Sequence, residues 1–173
     1  MRSPLSRLLI AAGIGIMLFG PASPSGAATP VKVGDPAPDF SLPDLSGRQT
    51  HLADLKGNVV LLNFWGTFCG PCRKEMPVLE NLHASLKSEG FTVLAVSIDR
   101  SEDTVRSFLR TAPSSFPVLL DSEKTVFRGP YATFALPLTY LIDKRGTIVA
   151  KYLGSQEWDS TEFKEMIRRL ARE

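Results

Sequence analysis

Residues 59–72 read VVLLNFWGTFCGPC, and the fold is decided there. Val59 to Trp65 is a continuous apolar run, interrupted only by Asn63 and rich in β-branched and aromatic residues. Such a run marks a strand buried on both faces. Directly after it, Cys69-Gly70-Pro71-Cys72 opens a helix. Pro71 fits the first helical turn, where no N–H is needed. The helix continues through Leu79, Leu82 and Leu86 at helical spacing, and Gly90 stops it. Residues 91–98 (FTVLAVSI) form a second buried strand.

Outward from this centre, Ser101 caps a helix with Val105, Phe108 and Leu109 on one face. Residues 118–120 are a short strand. Residues 138–142 and 147–153 form a hairpin around Lys144-Arg145-Gly146. Asp159 and Glu162 make a capping box for a last helix striped by Phe163, Met166, Ile167 and Leu170. Before the centre, residues 40–42 and 49–52 are strand candidates around a Ser46-Gly47 turn. The order implies an α/β fold: a central mixed sheet flanked by helices, with an extra N-terminal strand pair added at an edge.

The chain has 173 residues, 43% hydrophobic and 22% charged, with a net charge of +2. Its mean hydropathy is +0.02. These values exclude a disordered tail, a collagen-like repeat and a polytopic membrane protein. Of the 20 basic residues, Arg2 and Arg7 lie at the very start, leaving 18 against 18 acidic residues elsewhere. A domain so balanced has no electrostatic reason to bind nucleic acid. Arg2 and Arg7 precede a 12-residue apolar run, LLIAAGIGIMLF (8–19), with small residues following to Ala28. That pattern matches a secretory signal peptide, and the run is short of the roughly 20 residues that span a bilayer. Residues 1–28 are therefore expected to be a signal peptide or an uncleaved anchor, 29–34 a flexible stem and 35–173 one domain. Either form places the domain in the periplasm or otherwise outside the cytoplasm. Contact with the membrane is expected only through an uncleaved N-terminal segment.

Cys69 and Cys72 are the only cysteines. Three residues apart at a helix start, they lie within disulfide reach. The loop they would close is too short to constrain the unfolded chain much, so a purely structural bridge gains little. The position instead poises a thiol. Cys69 faces the unpaired N–H groups and positive end of the helix, which favour the thiolate nucleophile. Cys72, one turn in, is expected to be more buried and to resolve the mixed disulfide that Cys69 forms. A zinc site would need two more ligands, and the chain offers only His51 and His83. His83 lies about 16 Å along the helix from Cys72 at 1.5 Å per residue. Both histidines read as surface or boundary residues, and no metal site is expected. No glycine-rich nucleotide loop is present, and the dithiol needs no further cofactor.

The cysteine motif with Trp65 before it resembles the thioredoxin superfamily, in its exported TlpA/ResA/DsbE-like branch of thiol-disulfide oxidoreductases. So do Val33-Gly34-Asp35-Pro36-Ala37-Pro38-Asp39-Phe40-Ser41-Leu42, Arg73-Lys74-Glu75-Met76-Pro77 and Leu136-Pro137-Leu138-Thr139-Tyr140-Leu141-Ile142-Asp143. The resemblance implies a thioredoxin-like fold. It implies an enzyme acting as a protein-disulfide reductase through a redox-active Cys69–Cys72 disulfide. Pro137 matches the family's cis-proline, leaving the Leu136 backbone free to pair with an extended substrate segment. Trp65 is expected beside the disulfide, forming the substrate-binding side with Leu136 and Pro137. The buried aspartate of thioredoxin is replaced by Asn63, which cannot titrate, and Glu75 stands where the branch carries a glutamate. Glu75 is then the expected catalytic acceptor of the Cys72 proton. Its alternative role is a solvated charge near the helix start.

The implied partners are disulfide-containing exported proteins, such as apocytochrome c or copper-handling proteins of oxidase assembly, and a membrane-bound thiol electron donor. The protein itself is expected to be a monomer. Phe68, Ala135, Leu138 and residues 127–134 (FRGPYATF) depart from the family pattern near the presumed docking groove. Two alternatives remain. A peroxiredoxin-type peroxidase carries Thr three residues and Pro seven residues before its reactive cysteine, where this chain has Gly66 and Leu62. A non-enzymatic module could bind a partner, or copper through Cys69 and Cys72.

Overall fold

The structure is a computed structural model that describes residues 30–173. The expected signal peptide, residues 1–28, lies outside the described residues. The chain is already tied to the domain inside the expected stem, because the Gly34 N–H donates to the Ile148 carbonyl at 2.8 Å. No helix of the described residues is long and apolar enough to cross a membrane.

In chain order the elements are β1 (Ser41–Pro43), β2 (Gln49–His51), β3 (Val59–Trp65), α1 (Gly70–Leu86), β4 (Phe91–Ser97), α2 (Glu102–Thr111), β5 (Val118–Leu120), the short α3 (Thr125–Arg128), β6 (Leu138–Ile142), β7 (Ile148–Leu153) and α4 (Thr161–Arg172). Five strands form one sheet in the order β5-β4-β3-β6-β7. β3, β4 and β5 run parallel; β6 is antiparallel to β3, and β7 to β6. This is the expected mixed sheet with helices on its faces, a thioredoxin-like α/β fold.

β3 is the middle strand, and all seven of its residues are buried. Its side chains alternate between two cores, as strand geometry requires. Val59, Leu61 and Trp65 join Leu79, Leu82 and Leu86 of α1 and Phe163 and Ile167 of α4. Val60, Leu62 and Phe64 join Phe40, Leu42, Phe127, Tyr131 and Tyr140 on the other face. Burial on both sides explains why the strand reads as an unbroken apolar run. Asn63 is the exception, and by the same alternation it falls on the face covered by α1.

Several elements differ from expectation. β1 and β2 form a separate two-stranded sheet instead of extending the main one, linked to its edge by a single bridge between Asp44 and Leu119. Leu52, expected to end a strand, begins a 3₁₀ turn. Ser101 stands at the N-cap of α2, but its side chain makes no capping bond. The cap of α4 is Ser160, whose Oγ accepts from the Phe163 N–H at 3.3 Å, so Asp159 and Glu162 form no capping box. Gly90 ends the α1 region as expected, with φ +80°, a conformation that glycine takes freely.

Candidate functional site

The site forms where β3 hands over to α1. The connecting turn is pinned from β4: Asp99 accepts from the Thr67 N–H at 2.9 Å and from the Thr67 hydroxyl at 2.6 Å. The Ser97 hydroxyl donates to the same carboxylate at 2.8 Å. A side chain at Gly66 would displace the exposed Phe68 ring. A Cβ at that position would lie 2.6 Å from the Phe68 ring.

Cys69 occupies the N-cap of α1, and its sulfur accepts from the Cys72 N–H at 3.3 Å. The Cys72 N–H at the helix start thus points at this sulfur, a donor placed to favour a thiolate there. Cys69 and Cys72 are joined in a disulfide with a Cα–Cα distance of 5.3 Å. Cys69 is half-buried, whereas Cys72 is fully buried. The asymmetry leaves one sulfur reachable by a partner and keeps the other behind it.

The Leu136–Pro137 peptide bond is cis. Leu136 lines a groove of about 400 Å³ together with Cys69. Leu136 makes no backbone hydrogen bond among the described residues, while the Pro137 carbonyl accepts from the Gly154 N–H at 2.9 Å. Trp65 stands differently from its two expected companions. It is 0% exposed and packs against Phe108, ring centroids 5.3 Å apart. It shares a core cluster with Cys72 and so supports the disulfide from within, having no surface to offer a substrate.

Glu75 is 3% exposed, which removes the solvated-charge alternative. It lies one turn beyond Cys72, also on the buried side of α1. The Asn63 amide donates to Glu75 Oε1 at 2.9 Å, and the Trp158 indole N–H donates to Oε2 at 3.1 Å. Asn63 Nδ2 also donates to the Thr139 hydroxyl at 2.9 Å, and Asn63 Oδ1 has no partner. Burial pushes the Glu75 carboxyl above its ordinary value, and the bonds from Trp158 and Asn63 pull it back. The result is a carboxyl held inside the protein one turn along α1 from Cys72, with burial raising its pKa.

Nothing in the sequence singles out Trp158 or Thr139. They lie 83 and 76 positions from their partners, and no local pattern links them. His83 corrects a further expectation. It is buried, not a surface residue; its Nδ1 accepts from the Val93 N–H at 3.4 Å, and burial pushes its pKa down. Its spacing with Leu79, Leu82 and Leu86 on α1 carried that signal. His51 is exposed. Among the described residues no three His, Cys, Asp or Glu side chains gather as metal ligands. Cys69 and Cys72 are the only cysteines, so a reduced pair is the only thiolate donor set the chain can offer a soft metal.

With this geometry in view, the AhpC/TSA family matches residues 33–151. The thiol-disulfide oxidoreductase ResA of Bacillus cereus is 39% identical over 132 residues, 76% of each chain. ResA of Bacillus subtilis is 39% identical over 125 residues, 72% of this chain and 69% of that protein. Among solved structures, a Chlorobium tepidum protein assigned as the thiol:disulfide interchange protein DsbE superposes with a TM-score of 0.75 at 33% identity, covering 82% of this chain and 99% of the other. A thiol:disulfide interchange protein from Bacteroides sp. gives a TM-score of 0.70 at 30% identity, covering 83% and 92%.

Proposed function

The chain belongs to the AhpC/TSA family and is a thiol-disulfide oxidoreductase of the ResA and DsbE type; from that premise we propose that it works outside the cytoplasm, reducing the disulfides of exported partner proteins. The observation that carries the reading is the unequal burial of the two sulfurs at the start of α1.

In the proposed cycle the reduced Cys69 thiolate attacks a partner disulfide. A mixed disulfide forms and one partner sulfur leaves as a thiolate. Glu75 takes the proton from the Cys72 thiol. The Cys72 thiolate then attacks Cys69, releasing the second partner sulfur and closing the Cys69–Cys72 bridge. Two electrons have passed to the partner, and a membrane-bound thiol protein returns them. The dithiol is the only redox group the cycle requires. Leu136 and Pro137 face the partner segment, with the unpaired Leu136 backbone offered to it as in strand addition. Substrates of the proposed class are apocytochrome c and copper-handling proteins of oxidase assembly. Residues 1–28 act as the export signal or anchor, 35–173 form the working domain, and the protein acts as a monomer.

The Gly-Pro pair between the cysteines matches thioredoxin, whose potential is about −270 mV, and not the strong oxidants near −120 mV. A redox titration against glutathione tests the direction of electron flow. The reductant reading expects a midpoint near that of thioredoxin; a midpoint near −120 mV overturns it. A peroxide-consumption assay separates the peroxidase alternative, which Leu62 and Gly66 at its motif positions argue against.

A further inference from the structure

The groove beside Cys69 has a chemical character that the cycle above does not use. Phe68 and Leu136 line it, together with a wall built from α3 and its flanks: Lys124 just before the helix, Arg128 at its end and Phe134 after it. Phe68 is 68% exposed and Phe134 82% exposed, two of only four large hydrophobic side chains so exposed among the described residues. Single exposed apolar residues mean little, but two bracketing a reactive sulfur form a contact surface. The charge is one-sided. Lys124 and Arg128 line the groove, and no Asp or Glu does. Neither cation is in an ion pair or a side-chain hydrogen bond among the described residues. Of the nearby carboxylates, Glu123 lines a neighbouring cavity and not this groove, and two others are occupied elsewhere. Asp99 holds Thr67 and Ser97, and Asp121 accepts from the Val126 and Phe127 N–H groups beneath α3.

The wall is also held in an unusual backbone. Lys124 (φ +59°) and Ala132 (φ +42°) are the only non-glycine residues with positive φ among the described residues, and they bracket α3 and its following turn. Such conformations are sparsely populated outside glycine and concentrate at functional sites.

We propose that this groove selects partner segments carrying an acidic side chain and an apolar side chain beside the cysteine that Cys69 attacks. The inference rests on the reading of Cys69 as the attacking thiol. The acidic group meets Lys124 and Arg128, and the apolar group packs between Phe68 and Phe134. Complementary charge of this kind acts chiefly on the rate of encounter and on the choice between partners.

The test uses the Cys72→Ser protein and single-cysteine peptides activated as mixed disulfides with thionitrobenzoate. The Cys69 thiolate attacks the peptide sulfur, the Cys69–peptide bond forms, and the aryl thiolate leaves with the electron pair and is read by its colour. The peptides differ only in one flanking residue: Glu, Gln or Lys. At low salt the Glu peptide is expected to react about tenfold faster than the Lys peptide, with Gln between, and the gap is expected to narrow as salt rises. The double variant Lys124→Glu/Arg128→Glu is expected to invert the order. The exposed Arg128→Gln, which leaves the wall intact, is expected to shrink the gap. Because each ratio is taken within one protein, changes in Cys69 reactivity cancel. Equal rates for the three peptides, or an order unmoved by either variant, overturn the proposal while leaving Cys69 as the nucleophile. No reaction with any peptide removes the nucleophile and the proposal together.

Discussion

The two sulfurs of one disulfide face opposite environments. One turn along α1 from Cys72 sits a closed polar cluster: Glu75, Asn63, Thr139 and Trp158, drawn from α1, β3, β6 and the segment before α4, all buried. In front of Cys69 lies an open groove with bare aromatic rings and unpaired cations. The inner cluster costs stability, because a buried carboxyl with only two donors and an orphaned Asn63 Oδ1 gives up hydration. The outer groove leaves apolar surface wet. Neither arrangement helps the fold. Each makes sense if proton handling is kept inside and recognition outside, so that partners can vary without disturbing the chemistry.

The sharpest way to separate the two sides is Glu75→Gln. Removing a proton acceptor is expected to slow partner reduction about a hundredfold at neutral pH. In the parent protein the rate is expected to rise with pH as Glu75 ionises, and that limb is expected to vanish in the variant. Unchanged kinetics would reduce Glu75 to a packing role. In the proposed cycle the inner cluster serves the second step, so capture of a partner by Cys69 in the Cys72→Ser background is expected to be indifferent to the same change.

Next in size is Trp158→Phe, which keeps a ring against Tyr152 and Phe163 but removes the donor to Glu75 Oε2. With that bond gone, burial acts less opposed and the Glu75 carboxyl rises further. The rising limb of the rate profile is expected to move to higher pH, with about 1–3 kcal/mol lost in stability. A profile that does not move would show that the indole N–H leaves the carboxyl's titration untouched.

The same carboxyl predicts how stability varies with pH. Its folded pKa lies above its unfolded one, so the native state holds the proton longer. As pH rises from the ordinary carboxylate range through the raised folded value, this group is expected to remove stability, at most about 1.4 kcal/mol per pH unit. Denaturant melts of the parent and Glu75→Gln proteins across that window are expected to differ in slope, the variant being flatter. Parallel curves would mean Glu75 titrates alike in both states.

The smallest effect belongs to the outer side. Phe134→Ser changes an 82% exposed residue and is expected to alter stability by less than about 0.5 kcal/mol. Capture of an apolar-flanked peptide is nonetheless expected to slow a few-fold. A large loss of stability would make Phe134 a structural residue and weaken the contrast between the two sides.

How far the sequence speaks follows the same division. The two-sided burial of β3, the start of α1 and the cysteine pair are legible because each is local: a run, a spacing, a glycine. Glu75 is legible from its position one turn after Cys72. Trp158 is not, because what binds it to Glu75 is the packing of the segment before α4 against α1, 83 positions away. The expected cap of α4 falls one residue early, since Asp159 and Ser160 are both good caps and only the Phe163 N–H geometry decides. β1 and β2 are recognisable as a pair but not as a separate sheet, since that depends on their reaching β5 only through the Asp44–Leu119 bridge, a tertiary contact. The groove shows in the sequence only as departures from the family at Phe68, Ala135, Leu138 and residues 127–134; its charge requires α3 to bring Lys124 and Arg128 around to Cys69.

The most direct measurement is mass-spectrometric trapping with a disulfide-bearing partner, done in parallel on Cys72→Ser and Cys69→Ser proteins. The account predicts a stable mixed disulfide on Cys69 in the first and little or no adduct on Cys72 in the second. Equal trapping on both sulfurs, or preferential trapping on Cys72, would contradict it.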